Sequence, residues 1–351
     1  MVKFSSVAFV FEAVSMRGRF CHKFLSSGQI ALVAGLLICA VSPLRAETIK
    51  MGFTGSPTSL SLPFFVAQKK GWLGDLEVEE VYVTGDSNAM RILVSGNVDI
   101  ATIGAVNVLA AVEAGAKIKA IGSWQPIADY SLVIANGKGS TIADLAGKII
   151  ATSGPGGMPD QLPRMLMRRY NVDETASRFI QVGGHSARLQ AVVGGRADAT
   201  IINFVATSMG AGSVTVAASL AKEFPKLAYV WNVVREESLA DPRMIKIYQK
   251  LTDVTVRGAR FIMESPDEAA QILHDRVPDL PLEICKQTIL LMNKDNLWGV
   301  DGGLDPEIAK FTAVINKELG ATKTEVSADS FIDTRFTDNA LKTLGPMKLD
   351  R

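Results

Sequence analysis

The sequence predicts an α/β protein built from two lobes with the same local topology. After residue 46, short stretches rich in β-branched residues alternate with longer helical patterns, which is typical of layered α/β folds. One segment, residues 87–99, recurs as residues 186–198 at a constant offset. The length of 351 residues also suits two domains, or one fold made of two similar lobes.

Residues 1–46 have the layout of a secretory signal peptide. A basic region precedes an apolar run at 30–41, and a small residue, Ala46, stands at the expected cut. This run is too short to span a bilayer core, which needs about 20 apolar residues. We therefore expect export to the periplasm, with translation starting at either Met1 or Met16.

The composition excludes several classes of protein. The formal net charge is +1, so no overall field would attract nucleic acid or a membrane surface. Of the three cysteines, only Cys285 follows the signal peptide. We therefore expect no internal disulfide and no metal cluster built on cysteine. We also expect no bound cofactor.

The first half of the mature chain predicts strands that alternate with helices. Gly71 and Gly115 each end a helical pattern. The expected strands lie at 47–53, 78–84, 99–103 and 118–123. The expected helices lie at 62–70, 88–94 and 106–114.

The second half starts with the same alternation and ends in helices. Strands are expected at 131–135 and 149–152, with a short helical turn at 141–148 between them and a helix at 160–169 after them. Four further helices are expected at 242–263, 266–274, 282–292 and 306–319. Pro242, Pro266 and Pro306 begin three of these helices, and each follows an Asp or Ser, which is a favourable N-cap.

The internal repeat predicts one βαβ unit in each lobe. In both copies a strand leads into a helix that we expect to be capped by a serine, Ser87 or Ser186. A glycine, Gly96 or Gly195, then ends the helix, and an apolar strand that begins with Asp follows.

Four segments carry a resemblance to a known family, and they occur in that family's order and spacing. They are residues 63–73 (PFFVAQKKGWL), 93–101 (LVSGNVDIA), 142–148 (IADLAGK) and 191–199 (AVVGGRADA). Together they resemble the NMT1/THI5-like solute-binding proteins of nitrate, sulfonate, taurine and thiamine-precursor importers. The resemblance covers roughly the whole mature chain.

The resemblance implies a periplasmic-binding-protein fold, type II-like, in which two crossing hinge strands join two α/β lobes. Lobe 1 would contain residues 47–125 plus 232–351, and lobe 2 would contain residues 126–231. The partners it implies are a small-molecule ligand and the membrane permease of an ABC importer. A monomer is expected.

Candidate ligand-binding residues follow the first and third strands of lobe 1, because ligands of open α/β sheets bind beyond the carboxyl ends of strands. The loop at 54–61 offers hydroxyls and backbone donors, although a serine here would also serve as a helix cap. The candidates are Thr54, Ser56, Thr58 and Ser59 in this loop, and Gly104, Ala105 and Asn107 after the third strand.

Lobe 2 contributes a glycine-rich turn between a strand and a helix, where the backbone can approach a ligand closely. A plain flexible turn is the alternative. The candidates are Ser153, Gly154, Gly156 and Gly157 in this turn, Asn203 after the repeated strand, and His185 and Ser186 at the start of the repeated helix. Trp124, near the first crossing, would line the cleft by stacking or pack in the core.

Neither a catalytic triad nor a nucleotide-binding loop is visible, and the mature chain has only two histidines, His185 and His274. The resemblance leaves a thiamine-pyrimidine-synthase-like enzyme as an alternative, although those enzymes use a cysteine-rich segment that is absent here. We expect a receptor without catalysis, used for transport or for sensing by a membrane partner. The ligand stays open between a sulfonate, nitrate, a carboxylate and a pyrimidine precursor. The three main loops, residues 54–61, 104–107 and 153–158, contain no Arg or Lys. This weakens the case for an anion and favours keeping a neutral or heteroaromatic ligand, such as a pyrimidine, as an alternative.

Overall fold

The structure, a computed structural model, describes residues 47–154 and 158–348. The predicted signal peptide at 1–46 lies outside the described residues, as do Gly156 and Gly157. The described residues form two five-stranded sheets covered by helices. They contain no helix that is both long enough and apolar enough to cross a membrane.

The first sheet has the strand order β2-β1-β3-β10-β4. Its strands are β1 (Glu47–Thr54), β2 (Leu76–Val83), β3 (Ile100–Gly104), β4 (Ile118–Gly122) and β10 (Val230–Arg235). The strands β1, β2 and β3 are parallel, and β10 runs antiparallel to β3 and β4.

The second sheet repeats this arrangement in the order β7-β6-β8-β5-β9. Its strands are β5 (Tyr130–Ala135), β6 (Ile149–Thr152), β7 (Arg178–Gln181), β8 (Ala199–Asn203) and β9 (Val214–Ser219). Here β6, β7 and β8 are parallel, and β5 runs antiparallel to β8 and β9.

The helices lie between and around these strands. They are α1 (Leu62–Lys69), α2 (Asp86–Val94), α3 (Ala105–Glu113), α4 (Met158–Arg169), α5 (His185–Val193), α6 (Phe204–Met209), α7 (Leu220–Glu223), α8 (Pro242–Glu264), α9 (Pro266–Arg276), α10 (Leu282–Lys294), α11 (Pro306–Glu318) and α12 (Arg335–Leu344). Helices α8, α9, α10 and α12 pack against the first sheet and α1, whereas part of α11 packs into the core of the second sheet.

The chain crosses between the two sheets twice. It leaves the first sheet after β4 to form β5, and it returns after α7 to form β10. The two crossing segments pair with each other, because Tyr229 N–H donates to the carbonyl of Pro126 at 2.8 Å and Ile127 forms a β-bridge with Ala228. The predicted two-lobed α/β fold with two crossing strands is confirmed. The expected lobe boundary at 231/232 falls inside β10.

The sequence repeat corresponds to a structural repeat. The backbone N–H of Lys50 donates to Asp99 Oδ2 at 2.9 Å, and the N–H of Ile149 donates to Asp198 Oδ2 at the same distance. In both halves the Asp follows its donor by 49 residues and leads the third parallel strand. The two Asp side chains therefore have the same role, which is to tie that strand to the first strand of its unit.

The predicted serine caps of the repeat are wrong. Helix α2 begins at Asp86 after Gly85, and α5 begins at His185 after Gly184, so Ser87 and Ser186 lie within the first turn. Gly85 has φ of 80°, a backbone conformation that favours glycine and that lets the chain enter the helix two residues earlier than predicted.

Two of the three predicted N-caps before prolines are confirmed. Asp241 and Asp305 accept hydrogen bonds from the backbone N–H groups of Arg243 and Glu307. The Ser265 side chain makes no such bond, so that prediction is wrong. The backbone N–H of Ser265 donates to the carbonyl of Phe261 and so ends α8. The φ and ψ of Ser265, −136° and 61°, differ from those of the two aspartate caps.

Candidate functional site

A cavity of about 330 Å³ is lined by residues of both sheets. Its volume lies at the lower end of the range for small-molecule sites, about 300–1,000 Å³. The ends of β1 and β3 and the start of α3 line one side. The end of β6, the start of α4 and β5 line the other, and the return crossing and the end of α11 complete the wall.

The lobe 1 side of the cavity is organised by the carboxylate of Asp86. Its Oδ1 accepts hydrogen bonds from Thr54 Oγ1 at 2.9 Å and from the backbone N–H of Gly104 at 3.1 Å, and its Oδ2 accepts one from Asn107 Nδ2 at 3.3 Å. One side chain thus holds together the end of β1, the end of β3 and the start of α3. A Cβ at Gly104 would lie 2.5 Å from Asp86 Oδ2, so a side chain here would displace the Asp86 carboxylate.

On the lobe 2 side, His185 occupies the position of the repeat that Asp86 occupies in lobe 1. The backbone N–H of Asn203 donates to His185 Nδ1 at 3.0 Å, just as that of Gly104 donates to Asp86. Arg188 Nη2 lies 3.1 Å from the same nitrogen. Burial, followed by the charge of Arg188, lowers the pKa of His185 to about 4. At neutral pH the imidazole is therefore uncharged, with its proton on Nε2.

Two tyrosines lie between these sides. Tyr130 and Tyr229 both line the cavity, and their ring centroids are 5.5 Å apart in an edge-to-face arrangement. Burial raises the pKa of Tyr130 to about 12 and that of Tyr229 well above its usual value, so both hydroxyls stay protonated and can donate hydrogen bonds. The His185 ring packs against Tyr130 with a centroid distance of 5.4 Å.

The predicted site residues divide into three groups. Five of them line the cavity: Thr54, Gly104, Ala105, Asn107 and Ser153. Eight described residues lie outside the lining, and Gly156 and Gly157 fall outside the described residues. Ser56, Thr58 and Ser186 are exposed, Ser59 is buried, Gly154 lies beside Gln181, and Asn203 caps α6 through a hydrogen bond from Ala206 N–H. Trp124 lies in the core of lobe 1, where it stacks on Phe64. His185 lies behind Tyr130, against which its ring packs. Ligand contact by these residues stays a prediction.

Several lining residues were not among the sequence candidates. Asp86 is one of them, and the repeat could have identified it, because it pairs Asp86 with the candidate His185. Tyr130 starts an ordinary apolar strand, while Tyr229 and Asn316 come from segments with no recognisable motif. Asn316 is 1% exposed, and its Nδ2 has no hydrogen-bond partner among the described residues.

The cavity is suited to binding through hydrogen bonds and apolar contact. Of the described residues that line it, only Asp86 is charged. No cluster of His, Cys, Asp and Glu among the described residues could hold a metal ion. Cys285 is buried in the core of lobe 1, where burial raises the pKa of its thiol to about 11.

A second, larger cavity of about 580 Å³ lies between α6, β9 and α10. Its lining combines apolar side chains such as Phe204 and Leu290 with polar and charged ones, and Lys222 pairs with Asp295. We place the functional site at the smaller cavity because the ends of the parallel strands from both lobes meet there.

Solved structures of similar fold are ligand-binding proteins of bacterial import systems, among others. The ligand-binding component of an ABC-type import system from Staphylococcus aureus, with zinc bound, has a TM-score of 0.67 at 14% identity and covers 84% of this chain and 99% of its own. The periplasmic aliphatic sulphonate binding protein SsuA from Escherichia coli has a TM-score of 0.65 at 16% identity, covering 87% and 94%. DSZB in complex with biphenyl-2-sulfinic acid has a TM-score of 0.64 at 14% identity, covering 85% and 99%.

These likenesses concern the fold, since the identities are low. No curated protein matches the sequence. The profile of the NMT1/THI5-like family matches residues 59–269, which is more than half of the chain and spans parts of both lobes. The chain belongs to the NMT1/THI5-like family.

Proposed function

We propose that this protein is an exported solute-binding receptor that closes two lobes on a small organic molecule and delivers it to an ABC importer in the membrane. The observation that carries the proposal is the cavity between the lobes, to which the equivalent strand ends of both repeats contribute: Thr54 from β1 and Ser153 from β6. Membership of the NMT1/THI5-like family and the likeness to import-system binding proteins support it.

The two crossing segments provide the hinge that such a receptor needs. They pair through Tyr229 and Pro126, and the hydroxyl of Ser123 donates to the carbonyl of Val230 at 2.7 Å, so the hinge is held at both ends. Closure around this hinge would convert ligand binding into a shape that the permease recognises. We place lobe 1 at 47–125 plus 232–351 and lobe 2 at 126–231, in a monomer located in the periplasm.

We further propose that the cavity has no catalytic role. The described lining contains neither a histidine nor a cysteine. The carboxylate that accepts from the Thr54 hydroxyl, Asp86, also accepts from the Gly104 N–H and from Asn107, which suits a structural role. The alternative is an enzyme like the thiamine-pyrimidine synthases. It would require turnover of a bound ligand, which mass spectrometry of the incubated complex would detect.

A thermal-shift screen tests the receptor function. Residues 46–351 form one compact unit, so the chain from Glu47 onward is suitable for it. Sulfonates, nitrate, carboxylates, amines, pyrimidines and amino acids would be titrated, and a true ligand raises the melting temperature in a saturable way. If no compound of any class raises the melting temperature of the folded protein, the proposal fails.

Variants then locate the binding site. Thr54→Val and Ser153→Ala should each weaken binding by about 5- to 10-fold, because each removes one hydrogen bond worth about 1 kcal/mol. Ser56→Ala is the matched control, since Ser56 is exposed and does not line the cavity. Binding that is unchanged in both cavity variants would place the site elsewhere.

A further inference from the structure

The charge of the cavity is set by Asp86 and is not balanced by a cation. A carboxylate offers about four acceptor positions, and the described residues fill three of those of Asp86, the longest bond being that from Asn107 at 3.3 Å. The three residues between Gly154 and Met158 are Pro, Gly and Gly, so they add no charged side chain. Asp86 therefore retains acceptor capacity next to the cavity.

Among the described residues, the one cationic side chain that is fully buried already has protein partners. Arg188 is 1% exposed, and its guanidinium donates to the carbonyl of Ile201 through Nε at 3.1 Å and Nη2 at 3.0 Å, and to the carbonyl of Gly183 through Nη1. It does not line the cavity. No cationic side chain of the described lining is therefore available to an anionic ligand.

The helix starts next to the cavity, where anions bind in many proteins, already have an acceptor or an acidic side chain. At the start of α3, the N–H of Gly104 donates to Asp86 and that of Ala105 donates to the carbonyl of Tyr229 at 2.9 Å. At the equivalent place in lobe 2, the N–H of Asn203 donates to His185. In the first turn of α4, the carboxylate of Asp160 already complements the positive end of the helix.

Asn316 is a further polar residue of the lining. It is 1% exposed, and its Nδ2 is buried and has no partner among the described residues. A buried donor without a partner is costly, and rotation of the amide toward a ligand oxygen or ring nitrogen would satisfy it. The face of Tyr130 or Tyr229 would also favour a positive charge placed over it.

From these contacts, and on the basis of the receptor function proposed above, we infer that the cavity binds an organic cation whose N–H groups donate to Asp86, such as an amine or amidine, and not a sulfonate, nitrate or carboxylate. An acceptor atom elsewhere in the ligand would receive a hydrogen bond from Asn316. An anion would instead lie next to the Asp86 carboxylate without a compensating cation.

Pairs of probes that share one skeleton but differ in charge test this inference. Benzamidine would be compared with benzenesulfonate, and butylamine with butanesulfonate and butanoate, alongside wider sets of amines and sulfonates. Thermal shift and calorimetry on the wild-type protein give the preferred charge without any variant. Cations should bind at least 10-fold more tightly than their anionic counterparts.

The variant Asp86→Asn then identifies the residue responsible. It keeps the shape of the side chain and should weaken the binding of the best cation at least 10-fold. Asp75→Asn should leave it unchanged, because Asp75 is exposed and precedes β2 at the opposite end of the sheet. Binding of anions in preference to their matched cations would overturn the inference while leaving the receptor function intact. Cation binding that is equal in Asp86→Asn and wild type would also overturn it. If no probe of either charge binds, the receptor function itself fails.

Discussion

Replacing Asp129 with Asn should change how the stability of this protein depends on pH. Asp129 lies in the first crossing segment, directly before β5, and is 3% exposed. It accepts a hydrogen bond from Gln125 Nε2 at 3.0 Å. Burial raises its pKa from 3.8 to about 6, against the opposing effect of its hydrogen bonds.

The sign and size of the effect follow from this pKa. Because the pKa is higher in the folded protein than in the unfolded chain, the folded protein binds more protons between about pH 4 and pH 6. The free energy of unfolding therefore falls as pH rises through this window. The loss amounts to about 3 kcal/mol, since each pKa unit is worth about 1.4 kcal/mol. Asn has no charge, so the free energy of unfolding of Asp129→Asn should not fall in this way. Relative to the wild type, it should therefore rise by about 3 kcal/mol between pH 4 and pH 7.

Urea unfolding of both proteins at several values between pH 3 and pH 7 measures this difference. Asp144→Asn is the matched control. Asp144 is partly exposed, and hydrogen bonds from the backbone of Ser140 and from Thr141 lower its pKa. The difference in the free energy of unfolding between Asp144→Asn and the wild type should change only below about pH 4, and in the opposite direction. A difference between Asp129→Asn and wild type that stays constant from pH 4 to pH 7 would refute the reasoning.

Two further substitutions test the packing and the repeat. Gly258→Ala should destabilise the protein by about 1–3 kcal/mol in urea unfolding, because its Cβ would lie 2.1 Å from the backbone oxygen of Pro63. Gly184→Ala, which meets no atom within 4 Å, should change stability little, and equal effects of the two would contradict this account. Asp99→Ala and Asp198→Ala should each cost about 1–3 kcal/mol, since both remove a charge-assisted hydrogen bond of the repeat. Strongly unequal costs would argue against equivalent roles.

The repeat shows how much of the fold could be predicted from the sequence. Most strands and helices of the parallel units lie within two residues of their predicted positions, because glycines after the helices and Asp residues before the strands mark their ends. The edge strand β9 and the helices α7 and α12 were not predicted, and the repeat predicted the edge strand β7 without bounds. Both edge strands are only partly buried, so their sequences lack a clear apolar alternation.

The candidate site was predictable only where the repeat or a strand end marked it. Thr54, Gly104 and Ser153 follow strands whose carboxyl ends must meet at one edge of a sheet. The loop residues Ser56 and Thr58 follow the same strand but are exposed, because the direction of a side chain in an irregular loop depends on its neighbours in space. Trp124 shows the same limit, since the sequence leaves open whether a tryptophan near the crossing faces the cleft or the core.

By itself, the sequence determined the α/β class, the duplicated βαβ unit and the family to which the chain belongs. These properties depend on local periodicity, helix-ending glycines and the order of short motifs, all of which are encoded in contiguous residues. Only the tertiary structure decided the composition and charge of the cavity. Asp86, Tyr229 and Asn316 are far apart in the chain, and they line one cavity because the two crossings and α11 bring the lobes together.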